Sequence, residues 1–285
     1  MSNSFERFKA FYRTAPLWQG KLMDLRQFPL SNFSFASLDE SAALELPNIP
    51  QGTVLGKRAE YYFKFCVEQS DNFELLVANL QVFKNKTTLG ELDFILREKS
   101  SGQVYHVELV YKFYSYDSTV QPGDSDPVRS ELSNYLGPNG RDHLLRKMDR
   151  LKEHQLPLLY HPITTKLLET KYGLNVSNIK QSVCFLGHVF IPRQLWNVSF
   201  PLINKNAISG YYMSYSAFAK APSSQAYYLP HKHAWKMKPY ALHEELTHHE
   251  TQERVYQGLE RGFASMVWLQ WAPGKWERFF VVKDA

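Results

Sequence analysis

Apolar and polar positions alternate along this chain with two distinct periods, and the switches between them mark its elements. From Gly56 the segment GKRAEYYFKFCVEQS sets Ala59, Tyr62, Phe63, Cys66 and Val67 at i, i+3, i+4, i+7 and i+8, one stripe of a helix, with Glu60 at its border. Phe73 to Phe83 (FELLVANLQVF) is dense in apolar, β-prone residues and predicts one bent strand or two short ones. Residues 89–114 (LGELDFILREKSSGQVYHVELVYKFY) hold two β-prone runs around Glu98 to Gln103, where Ser-Ser-Gly predicts a hairpin turn. In RDHLLRKMDRLKEHQL the helical period returns, with Leu144, Leu145, Met148 and Leu151 on one face. A further helix is predicted through Thr164 to Thr170, ending near Gly173, and a buried strand over Gln181 to Ile191.

The two ends read differently. At the start, Phe5, Phe8, Tyr12 and Leu17 have near-helical spacing, and a loop-like run follows through Pro29, Pro47 and Pro50. Residues 192–285 are Pro-punctuated and aromatic, with Trp196, Trp235, Trp268, Trp271 and Trp276 and short runs such as GYYMSY and WERFFVV. The predicted class is α/β, a mixed central β-sheet flanked by helices. Its expected divisions are an N-terminal helical and loop segment (1–54), a core (55–191) and an aromatic-rich C-terminal extension packed on that core (192–285).

The hairpin carries the candidate chemistry. If Arg97 closes the first strand against Val104, the same register sets Asp93 opposite Glu108, with Cβ atoms roughly 4.5 to 5.5 Å apart. Their apolar neighbours, Phe94, Ile95, Val107 and Leu109, leave few polar partners. Two carboxylates held together there need a cation between them or a raised pKa, and a divalent metal with oxygen ligands is the simplest answer. Glu91 and His106 share the acid face by parity and are second-tier ligand candidates. The bland alternative is an ordinary sheet whose acids bond Lys112 or backbone groups.

The segments GELDF, HVELVYKFY and LGPNGRDHLLRKMDRLKEHQL resemble signatures of the DUF 1853 family of uncharacterised bacterial proteins. The order of helix with Glu, strand, strand with Asp, then strand with Glu and Lys resembles the PD-(D/E)XK nuclease-like superfamily. The resemblance implies that Asp93 and Glu108 bind Mg²⁺ or Mn²⁺, that Glu60 supports them and that Lys112 is the catalytic lysine. Val110, however, stands where the superfamily motif expects lysine, and Lys112 lies one residue pair further on, about 6.6 Å along the strand. A bulge re-aims it, a basic group from elsewhere replaces it, or catalysis has been lost. Related nucleases also carry a polar residue on the helix after the hairpin, for which Gln155, Arg146 and Arg150 are candidates. The expected function is therefore a metal-dependent phosphodiesterase acting on DNA. The alternative is a catalytically inactive relative that binds nucleic acid or a partner.

Charge and composition alter this picture only slightly. The chain has 285 residues, 44% of them apolar, with 33 basic and 28 acidic residues for a net charge of +5, a mild preference for an anionic partner such as nucleic acid. Arg146, Lys147 and Arg150 give the helix after the hairpin a basic surface for phosphate contact. Residues 115–140, rich in Ser, Asp, Pro and Gly, form a long connector suited to a lid or a substrate contact. Two cysteines, Cys66 and Cys184, make neither a disulfide framework nor a zinc site. No apolar run approaches the roughly 18 residues of a membrane span, and the N-terminal segment has no signal-peptide core, so a cytoplasmic protein is expected. HEELTHH at His243 lacks the second histidine of a zincin, the His231-Lys232-His233 cluster reads as solvated, and no nucleotide-cofactor motif occurs.

Overall fold

A computed structural model describes residues 3–34, 45–120, 124–221, 224–239 and 244–284. His243 lies outside them. The chain divides into two compact units, the first formed by residues 1–111 with 147–187 and the second by residues 112–146 with 188–285. The class is α/β with a large mixed β-sheet.

In the first unit the chain opens with helix α1 (Asn3–Tyr12), followed by the two-residue strands β1 (Lys21–Leu22) and β2 (Leu25–Arg26). Phe8, Phe11, Leu17 and Trp18 from this segment are buried, each worth about 1.5 to 3 kcal/mol or more of transfer free energy. Gln27 holds the segment in place by imitating a strand: its Oε1 accepts from Phe185 N at 2.8 Å and its Nε2 donates to Phe185 O at 3.0 Å.

Helix α2 (Leu55–Glu68) buries the whole expected stripe of Ala59, Tyr62, Phe63, Cys66 and Val67. Val54 offers no side-chain cap, and buried Arg58 binds the helix to its leading turn instead, donating to Thr53 O at 2.9 Å and Pro50 O at 3.2 Å. Strand β3 (Phe73–Lys84) is one strand, paired antiparallel with β4 (Thr87–Glu98). One surplus residue, Leu76, sits between the pairs Leu75↔Leu96 and Val77↔Ile95, and three residues later Asn79 adopts the left-handed φ of 52°. Strand β5 (Val104–Tyr116) pairs with β4 in the register expected of the hairpin, from Arg97↔Val104 to Phe94↔Val107.

In the second unit, α3 (Pro127–Ser133) is a short helix that Asp126 caps by accepting from Val128 N at 2.8 Å. Strand β6 (Tyr135–Leu136) pairs with the end of β5. Helix α4 (Leu144–Arg150) carries the chain back to the first unit and runs into a π-helical turn over Leu151–Gln155, then a 3-10 turn over Leu156–Tyr160. Helix α5 (Pro162–Tyr172) starts on proline and ends where Gly173 takes the left-handed conformation. Strand β7 (Ile179–Pro192) is buried from Ser182 onward, as a continuous apolar run demands.

The rest of the second unit follows. Strand β8 (Ile208–Ser214) pairs in parallel with the end of β7. After the short helix α6 (Tyr215–Ala219), strand β9 (Ala226–Tyr228) pairs antiparallel with β10 (Ser265–Ala272), which forms a hairpin with β11 (Lys275–Val282). Helix α7 (His248–Glu260) begins at a complete capping box, Thr247 with Glu250. Its His248 bonds Phe218 O at 3.0 Å and packs on the ring of Phe218, a structural role. No helix among the described residues is long and apolar enough to cross a membrane.

Candidate functional site

The first unit gathers seven of the expected residues and adds three that sequence reasoning missed. Its centre is the end of the β4–β5 ladder. Beyond Phe94↔Val107 the register brings Asp93 across from Glu108, and Leu109 N donates to Asp93 Oδ2 at 2.8 Å in place of the next backbone bond. Since Ala78 pairs with Phe94 and Leu80 with Leu92, Asn79 stands across from Asp93 on the other side. Asn79 Nδ2 donates to Glu60 Oε2 at 2.5 Å and to Glu91 Oε1 at 2.9 Å, so one amide holds the helix acid and the strand acid together. Lys57, one helical turn before Glu60, bonds the same Glu60 Oε2.

Glu108 is fully buried and both of its oxygens are engaged. Gln155 Nε2 donates to Oε2 at 2.7 Å, and His106 Nε2 lies 2.9 Å from Oε1. Gln181 Nε2 stands 3.2 Å from the other ring nitrogen of His106 and also donates to Leu156 O at 2.5 Å. That carbonyl fixes the amide's orientation, so His106 Nδ1 accepts and the ring hydrogen sits on Nε2, donating to Glu108. Gln155 is aimed by the π-helical turn and by Lys147, whose Nζ donates to Gln155 Oε1 at 2.7 Å. Positions eight apart in a regular α-helix diverge by about 80°, whereas absorbing one surplus residue brings them to about 20°.

The electrostatics follow from this crowding. Burial and the charge of Glu108 push Asp93 up to about 8, with Glu60 and Glu91 adding to the shift and the Leu109 amide opposing it. For Lys57, burial works against its charge, but the hydrogen bond to Glu60 and the charges of Glu60, Glu91 and Asp93 hold its pKa above the ordinary lysine value.

Arg150 is exposed at the end of α4. In the second unit, Arg146 is exposed and Lys112 forms an ion pair with Asp142, Nζ to Oδ2 at 2.5 Å. Of the residues not foreseen, Lys57 had a visible signal, its position three before Glu60 on one helix, whereas Asn79 and Gln181 sat inside apolar runs with no sign of their partners.

Residues 17–282 match the family described as Domain of unknown function (DUF1853). The chain belongs to the DUF1853 family. No curated protein and no solved structure matches it.

The residues of this DUF1853 chain can be weighed against the divalent ion that two facing carboxylates imply. Among the described residues, no three His, Cys, Asp or Glu side chains converge to hold a metal. Mg²⁺ needs less than that, because it keeps several waters and takes one or two carboxylates. The raised pKa of Asp93 comes from burial first and from the charge of Glu108 second, and a bound cation would oppose both. Asp93, with one oxygen bonded by Leu109 N, and Glu108, with both oxygens hydrogen-bonded, are the carboxylates that would hold Mg²⁺ or Mn²⁺.

Proposed function

We propose that this DUF1853 chain is a metal-dependent phosphodiesterase of the PD-(D/E)XK nuclease-like kind, acting on DNA with Mg²⁺ or Mn²⁺ held by Asp93 and Glu108. The observation that carries this reading is the placement of Asp93 across from Glu108, with Asp93 forced toward its protonated form at neutral pH. When bound, the ion supplies a Lewis acid that activates water and neutralises charge growing on the phosphate oxygens. Gln155 and His106 fix both oxygens of Glu108 and so orient the carboxylate. Asn79 keeps Glu60 and Glu91 beside the pair, and Lys57 supplies a cation to this acidic group. Lys147, bonded to Gln155, and Arg150, exposed at the end of its helix, are assigned to phosphate contact.

The test is incubation of purified protein with supercoiled plasmid, linear duplex, single-stranded DNA and RNA, in Mn²⁺ or EDTA, beside Asp93→Ala. Cutting in Mn²⁺ that is lost in EDTA and in Asp93→Ala is the expected result. Absence of cutting on every substrate, with Mn²⁺ binding intact, would favour a second reading, a nuclease-like protein that binds without cleaving. The pairing of Lys112 with Asp142 favours that second reading, because the lysine's charge is already neutralised by a neighbour.

A further inference from the structure

The second unit contains a cavity of about 660 Å³ whose lining differs in kind from the acid site. Four cations, Arg193, Lys236, Lys238 and Arg278, line it together with one carboxylate, Glu277. Glu277 is engaged from within the wall, accepting from Tyr211 Oη at 2.7 Å. Arg278 is a fixed part of the wall, donating to Ser209 O at 2.8 Å and to Trp235 O at 3.3 Å, with its guanidinium 5.5 Å from the Trp268 ring centre. Arg193 and Lys238 are exposed, and Arg193 lies 5.1 Å over the Tyr211 ring. Beneath them, buried His188 has its pKa held well below the ordinary value, by burial first and then by the charges of Arg278 and Lys236, a sign of the same positive field.

Aromatic surface completes the cavity. Trp196 is 55% exposed, a large apolar ring left in solvent, and stands edge-on to Tyr211 at 6.5 Å. Trp276 joins the lining from β11. An exposed indole beside clustered cations suits a ligand that is planar at one end and anionic at the other. The volume lies within the roughly 300 to 1,000 Å³ of ligand pockets and accommodates such a molecule.

We propose that this cavity binds a nucleotide unit, with its base stacked on Trp196 and its phosphate at Arg193 and Lys238. A nucleotide presented by a single strand and a free nucleotide share this chemistry, whereas a base paired in a duplex has no exposed face to stack. The site does not rest on the acid pair of the first unit.

The experiment measures binding in EDTA, so that failure of the metal reading leaves it untouched. Fluorescence anisotropy follows a labelled dT oligonucleotide, an rU oligonucleotide and a duplex of equal length, and calorimetry follows a nucleoside monophosphate. Single strands are expected to bind, more weakly as salt rises. Arg193→Ala with Lys238→Ala should flatten the slope of log K against log salt by about 1.4. Trp196→Ala should weaken binding roughly five- to a hundredfold. All three side chains are exposed or half in solvent, and circular dichroism checks that the variants fold. Equal affinity for the monophosphate and the oligonucleotides would name the free nucleotide as ligand, and much tighter binding of the oligonucleotides would name the strand. Absence of binding to all of them, or binding indifferent to both sets of substitutions, would overturn the assignment.

Discussion

Replacing Asp93 by Asn should make the protein more stable at alkaline pH, by an amount that the acid pair itself sets. In the folded chain, burial and the charge of Glu108 move Asp93 from 3.8 to about 8. Between those values the folded chain holds a proton that the unfolded chain has released, so stability falls as pH rises through that window and the loss is complete above about pH 8. A fully buried carboxyl displaced that far would cost about 5 to 6 kcal/mol. Asp93 is half-buried, and solvent screening reduces the expected cost to about 2 to 3 kcal/mol. An Asn side chain keeps an acceptor for Leu109 N and turns a donor toward Glu108, as the protonated acid does. Urea unfolding in EDTA should show Asp93→Asn and wild type equally stable at about pH 3, below the unfolded value, with the variant ahead by that amount at pH 8.5. Adding Mg²⁺ at about a hundred times its Kd should restore roughly 2.7 kcal/mol to wild type and much less to the variant. A stability difference that does not change with pH, or a variant weaker than wild type at pH 8.5, would refute the reasoning.

Four further outcomes are expected. Gln155→Ala removes the donor to Glu108 and the acceptor of Lys147, and should cost about 1.5 to 3 kcal/mol in urea unfolding at neutral pH. Asn79→Ala should be less stable than Asn79→Gly by about 1 kcal/mol, because both lose the bridge to Glu60 and Glu91 while only Gly adopts the φ of 52° without strain. In the second unit, Gly210→Ala should lower soluble yield and Tm sharply, because a Cβ there would meet Arg278 O at 2.2 Å. Lys112→Met should change the stability read by urea unfolding by less than about 1 kcal/mol, since its pair with Asp142 is solvent-accessible.

Much of the first unit was legible in the sequence because its decisive contacts are local. The stripe on α2 follows from helical period alone, and the hairpin register from a short turn between two β-prone runs. That register was enough to bring Asp93 and Glu108 together. Gln155 was one of three candidates, and only the π-helical turn, which has no sequence signature, decides among them. Asn79 was illegible for a related reason: strand alternation counts residues, and Leu76 adds one to the count. In the second unit, β8 pairs in parallel with β11 across more than sixty residues of chain, and nothing in either short run names the other. The cavity lined from both strands was therefore invisible as a cavity, although its tryptophans were conspicuous.

The two surplus residues, Leu76 in β3 and the one absorbed between Leu151 and Gln155, respond oppositely to the gain and loss of single residues over evolutionary time. A strand offers only two phases. Deleting Leu76 would turn over one half of β3, sending either Phe73 away from its buried position or Asn79 away from the acids. A helix is more forgiving: with one residue gone from the π-helical turn, Lys147 and the glutamine would stand seven apart in an ordinary α-helix, still within about 20° of each other. Relatives of this chain can therefore differ by one residue after Arg150 and keep the glutamine on Glu108. A gap opposite Leu76 would mark a relative that has given up the asparagine bridge.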